Sequence, residues 1–225
     1  MKVKALVLSL SVVGICSLVM SQASLAQNLW TDPSAEGQVG APNPNPTGIP
    51  GWSFFGGAAF SNLVAHTGTE SVNTPGGTGG YSVPGTYQSF LATPGEQFTL
   101  SGYVYTPNLL VAGSNDFAIL QLSFFSGAGY GNTADGPAVG VNVGTPAGGG
   151  GVALPQAQWT FASVTATAPA GATSLQAFDL DINADANANF FFDDMSLTAV
   201  PEPASLSLLG MGLVGFGLVA RRRFR

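Results

Sequence analysis

Between residues 27 and 199 no stretch sustains a helical hydrophobic period for more than about two turns, and this limits the chain to strands. What repeats instead is a period of two. Gln97–Tyr105 alternates cleanly: Phe98, Leu100 and Val104 share one face with Gly102, while Thr99, Ser101, Tyr103 and Tyr105 share the other. Residues 116–125 are apolar on both faces, as a central strand should be. Further strands are predicted at 52–55, 87–91, 139–143, 158–167, 175–182 and 190–199. Between them lie turn-rich segments: 28–53 with Pro42, Pro44, Pro46 and Pro50, 73–85, 93–96, 127–151, 168–171 and 183–189. With about eight to ten strands and Gly/Pro turns, the expected fold is all-β, an antiparallel two-sheet sandwich of jelly-roll type.

Charge narrows the partners. The six basic residues are Lys2, Lys4, Arg221, Arg222, Arg223 and Arg225, so residues 27–199 contain no Lys or Arg. The same span holds eleven acids: Asp32, Glu36, Glu70, Glu96, Asp116, Asp135, Asp179, Asp181, Asp185, Asp193 and Asp194. Nothing there can neutralise phosphates, which excludes nucleic acid as a partner. A buried carboxylate has no Arg or Lys to pair with. It must be protonated, capped by backbone N–H groups, or bound to a cation.

Both ends read as export and anchoring signals. Lys2 and Lys4 precede an apolar stretch from 5 to 20, and Ser24-Leu25-Ala26 forms a small-x-small site before Gln27. Residues 1–26 are therefore expected to be a secretory signal peptide. The only cysteine, Cys16, leaves with it, so the body has neither a disulfide framework nor a thiol nucleophile. At the other end Val200-Pro201-Glu202-Pro203 leads into an uncharged apolar run, 204–220, and then a basic tail, 221–225. As a helix the run spans about 25 Å, slightly short of a bilayer core of about 30 Å. The arginines hold its far end in the cytoplasm. Gly210, Gly212 and Gly215 spell G-x-G-x-x-G, but no strand precedes them and no acid follows, so a dinucleotide site is not expected.

Val-Pro-Glu-Pro, a short Gly/Leu-rich apolar segment and a closing Arg cluster resemble the PEP-CTERM sorting signal of Gram-negative bacteria. The resemblance implies handling by an exosortase-type membrane peptidase that recognises Val200 to Pro203 with Arg221, Arg222 and Arg223. It also implies passage through the inner membrane, a transient anchor there, and delivery to the cell surface or an exopolysaccharide (biofilm) matrix. Tails of this kind are also labelled as the C-terminal domain of ice-binding proteins. That label describes the tail only, and the single T-x-T at Thr165-Ala166-Thr167 falls short of an ice-binding array.

A second resemblance spans the body. Asn28-Leu29 with 32–37 and Gly51-Trp52, the turn 66–72 (H-T-G-T-E-S-V), Tyr87-Gln88-Ser89 with 94–104, and 192–197 (F-D-D-M-S-L) are similar to motifs of the galactose-binding-like carbohydrate-binding modules, in the same order. The resemblance implies a β-sandwich and a structural calcium held by Glu36 near the first strand, Asp193 near the last, and oxygens of the turn at Thr69 and Glu70. An acidic, base-free domain suits a hard cation that wants six to eight oxygens. The alternative for these acids is exposure at a strand edge. Alternation places Phe191, Asp193, Met195 and Leu197 together on the expected core face.

Tyr103 and Tyr105, beside Thr99 and Ser101, are the candidate sugar-stacking residues, with inter-sheet packing as the alternative. Asp179, Asp181, Asn183, Asp185 and Asn187 hint at an EF-hand, but the sixth position is Ala184 and the twelfth Phe190. Asp179 and Asp181, opposite Phe178 and Leu180, are expected on a solvated face. Trp52 and Trp159 are expected in the core, and His66, the lone histidine, in a turn. No G-x-S-x-G elbow exists, one histidine without cysteine makes no zinc site, and a glycosidase would need two carboxylates at defined spacing. The expected function is non-catalytic glycan or exopolysaccharide binding outside the cell. The alternatives are a purely structural matrix protein and, behind it, a glycosidase.

Overall fold

A computed structural model describes residues 27–36, 51–76, 82–108, 110, 116–126, 136–144, 151–182 and 189–200. Residues 1–26, where a signal peptide is expected, residues 201–225, Asn183, Asp185 and Asn187 lie outside them. Among these residues ten strands form two five-stranded sheets: β1 (Ser53–Phe55), β4 (Gly85–Leu91), β9 (Ser174–Ile182), β6 (Phe117–Phe125) and β7 (Val139–Gly144) in one, in that order. The other runs β2 (Ala59–Ser61), β3 (Ser71–Thr74), β10 (Phe190–Val200), β5 (Gln97–Tyr105) and β8 (Thr160–Thr167). Every strand pair is antiparallel, as expected of a two-sheet sandwich. β2 lies where no element was assigned and β3 overlaps the expected turn 66–72 and loop 73–85, because each is too short to show a period.

Alternation builds the core. Phe98, Leu100 and Val104 of β5 meet Ala162, Val164 and Ala166 of β8 on one side and Ala118, Leu120, Leu122 and Phe124 of β6 on the other. Gly102 keeps its place because a Cβ there would collide with the Met195 sulfur. Trp52 is buried, stacking on Phe54 and meeting Trp30 edge-on at 5.4 Å.

Three expectations need correction. Asp179 and Asp181 are not on a solvated face: β9 is central in its sheet, and the period of two sets them on the inner face with Leu175 and Ala177. Phe191 and Asp193 do not share the core face with Met195 and Leu197. β10 carries a bulge between Asp193 and Ser196, with Asp194 at φ 49°, so Phe190 and Phe192 point inward before it and Met195 and Leu197 after it. Phe191 and Asp193 pair with Tyr105 and Tyr103 and lie with them on the outer side. Trp159 does not join the core. It leans against Tyr105 with the rings tilted by 40° and centroids 5.2 Å apart, just ahead of β8.

Candidate functional site

The bulge organises the site. By turning Asp193 and Asp194 outward at adjacent positions, it presents two carboxylates to the 62–70 segment. Asp193 Oδ2 accepts the backbone N–H groups of His66 (2.6 Å) and Thr67 (3.1 Å), and its Oδ1 accepts that of Asp194 (2.7 Å). Asp194 takes the hydroxyls of Ser34 (2.9 Å) and Thr67 (2.5 Å), and the His66 ring Nδ1 lies 2.6 Å from its other oxygen. Glu36 grips the same segment further along. It accepts the N–H groups of Thr69 (2.9 Å) and Glu70 (3.1 Å) on Oε1 and the Thr69 hydroxyl (3.0 Å) on Oε2. Gly68 is obligatory in this turn: its φ is +64°, and a Cβ would run into the Glu36 carboxylate.

The electrostatics follow from these partners. The N–H groups of Thr69 and Glu70 hold the Glu36 carboxyl below its usual range. Burial pushes Asp193 up, although the N–H groups of His66, Thr67 and Asp194 pull against it. Burial also acts on Asp194, but the donors from His66, Thr67 and Ser34 outweigh it and hold that carboxyl down. In a body without Lys or Arg, backbone donors are doing what cations do elsewhere.

Glu36, Thr69 and Asp193, set apart by sequence, thus converge on one turn. Their donor chemistry is all oxygen, and a carboxylate oxygen that accepts one N–H keeps a second lone-pair direction. That chemistry suits a hard cation. Among the described residues no group of three or more His, Cys, Asp or Glu converges as a metal site, so a cation here would draw on hydroxyl and backbone oxygens as well.

Beside this turn is an aromatic shelf on the outer side of β10, β5 and β8. The His66 ring lies face-on over Tyr103, centroids 3.7 Å apart and planes 16° apart. Trp159 meets His66 edge-on at 5.6 Å, Phe161 meets Tyr103 at 5.4 Å, and Phe191 meets Tyr105 at 6.0 Å. Phe161 is 53% exposed, an apolar ring standing open to solvent. Tyr103 and Tyr105 are therefore where alternation put them, yet His66 already covers one face of Tyr103. Trp159, Phe161 and Phe191 were not singled out as site residues. The sequence does carry them, as aromatics at outward positions of strands that turn out to be neighbours.

A second set of acids is enclosed. Thr86 donates to Asp179 Oδ1, while Asp179 Oδ2 and both oxygens of Asp181 are buried without a hydrogen-bond partner among the described residues. Burial pushes Asp179 up to about 7, and burial with the neighbouring Asp116 charge pushes Asp181 up to about 8. Burial favours the protonated form of both, and they are interior groups rather than chemical groups at a surface.

Comparison with known proteins bears on the tail and the fold. Residues 199–223 match the PEP-CTERM protein-sorting motif, which implies export and a transient membrane anchor. Val200 is the one residue of Val200 to Pro203 inside the described range, and there it pairs with Gln97 at the end of β10. Among the described residues no helix is long and apolar enough to cross a membrane; the 204–220 run and the arginines Arg221, Arg222 and Arg223 lie beyond them. Among solved structures, the enzymatically active domain of bacteriophage CBA120 tailspike protein 4 is similar, with a TM-score of 0.50 and 12% identity over 77% of this chain. This chain spans only 21% of that one. A family 16 carbohydrate-binding module aligns at TM-score 0.47 and 17% identity, covering 76% of this chain and 99% of that one. The C-terminal family 22 carbohydrate-binding module of Clostridium thermocellum Xyn10B aligns at 0.47 and 18%, covering 76% and 93%. No curated protein matches the chain.

Proposed function

We propose that this chain is an exported surface or extracellular-matrix protein whose sandwich binds neutral glycan without catalysis, and whose tail is handled by an exosortase-type membrane peptidase. The aromatic shelf carries this reading. Trp159, Phe161 and Tyr105 form a ledge on one sheet face, with the buried Phe191 packed against Tyr105 beneath it, beside hydroxyls that line the same strands, such as Thr99 and Thr165. Stacking of sugar rings on such a ledge with hydroxyl hydrogen bonds at its margin is the usual physics of sugar recognition. A body with no Lys or Arg repels uronate- or sulfate-rich polymers, which narrows the ligand class to neutral polysaccharide. The carboxylates that border the shelf, Asp193 and Asp194, are occupied by N–H and O–H donors, which fits them for holding a turn rather than for acid–base work. Calcium at Glu36, Thr69 and Asp193 belongs to the same proposal, as a steadying ion for the turn that carries His66.

A structural matrix role with no specific ligand has one observation in its favour: His66 takes up a face of Tyr103 that a sugar would otherwise use. A glycan array with residues 27–199 separates the two. Binding by the parent that is lost in Phe161→Ala and Trp159→Ala places glycan on the shelf. No binding to any glycan with calcium present favours the structural role.

A further inference from the structure

Resting on the membrane-anchored reading, we infer that the end of the sandwich built by the turns 92–96 and 168–173 is a bilayer-facing base while the chain is anchored. It holds the acidic and aromatic end outward. Three observations converge on that end.

The first is the missing spacer. β10 keeps its register with β5 to the last residue, Val200 opposite Gln97, and Val200 opens the sorting motif. Only Pro201, Glu202 and Pro203 separate that rung from the apolar run, a reach of about 10 Å at most. A body whose β5 is about 30 Å long cannot lie far from the bilayer on such a tether.

The second is the other end of the body. Asn28 bridges Thr198, and the Leu29 N–H donates to the Leu197 carbonyl at 2.7 Å, so residue 27 leaves the sheet beside Ala199. The apolar leader and the apolar tail are therefore both attached to the same end of the sandwich.

The third is the surface chemistry. The two turns are tied into one surface by Gly95 N–H to the Ala168 carbonyl and Ala168 N–H to the Glu96 carbonyl, both 2.8 Å. Leu91, 88% exposed, Leu29, Pro94 and Ala170 stand out from this end. Glu96 is its one acid among the described residues, and Glu96 caps its own turn through the Thr93 N–H. Asp116, Asp181 and the Asp193–Asp194 pair lie toward the middle and far end of the strands. A sparsely apolar base with a single acid among the described residues, and the other described acids held away, suits a lipid surface, where like charge would otherwise be repelled.

The test uses the mature chain, residues 27–225, which has no cysteine of its own, reconstituted into phosphatidylcholine/phosphatidylglycerol vesicles. One added cysteine, Leu91→Cys at the base or Gln158→Cys at the far end, carries an environment-sensitive fluorophore, and the quencher is a headgroup-attached nitroxide. Quenching several-fold stronger at 91 than at 158 is expected, and a flexible spacer inserted after Val200 should shrink the difference. Equal or reversed quenching in a chain that sediments with the vesicles overturns the orientation and leaves the anchor standing. A chain that does not sediment with vesicles overturns both.

Discussion

Gly68 and Glu36 show how much of this molecule is settled by single residues. Gly68→Ala must strain a left-handed backbone and displace the carboxylate that caps Thr69 and Glu70, so a loss of about 1–3 kcal/mol is expected in urea denaturation. Asp181 sets the pH dependence. Asp179 and Asp181 keep their protons in the fold up to about 7 and about 8, whereas the unfolded chain releases them near 3.8. The folded state therefore binds more protons across that window, and stability declines as pH rises through it. Glu36 and Asp194, held below the usual range, act the other way and cost stability as acid protonates them. The expected profile has its maximum on the mildly acidic side. Asp181→Asn should flatten the decline between about pH 4 and about pH 8, and an unchanged slope in a urea-midpoint series against pH would count against this origin.

At the scale of elements, the bulge in β10 decides where function sits. Deleting Asp194 would restore simple alternation and a regular register with β5 while Met195 and Leu197 keep facing the core, so the folded state is expected to survive in circular dichroism and only the ties of the 62–70 segment to Asp194 to be lost. The gentler Asp194→Ala removes the ties to Ser34, Thr67 and His66 and should speed amide exchange in 62–70 while leaving β5 and β6 protected. Strands such as β5 and β8 were legible because one face is core and the other is solvent, which writes the period of two directly into the residues. β2 and β3 were not, being three and four residues long. The bulge left no mark in Phe190–Val200, where apolar residues on both sides hide a change of face, and so Asp193 was assigned to the wrong side. β9 misled for a different reason. Its acids look like a solvated face, and only its central place in the sheet turns them inward. The convergence of Glu36 with the 66–70 turn came from motif resemblance. Nothing in the local sequence pairs residue 36 with residue 69.

Taken whole, the molecule carries between residues 27 and 199 a sandwich without Lys or Arg that satisfies its acids with backbone donors, buried protons and, as proposed, a divalent ion. Calcium should raise the melting midpoint of residues 27–199 at neutral pH by several degrees and a chelator should reverse the rise. A midpoint indifferent to both would remove calcium while leaving the shelf intact. The shelf itself is tested most directly by the affinity of residues 27–199 for the best neutral polysaccharide on a glycan array, measured calorimetrically for the parent and for Trp159→Ala. Stacking on the shelf calls for a loss of about tenfold with the fold unchanged. Equal affinity in the two proteins would contradict glycan binding at this face.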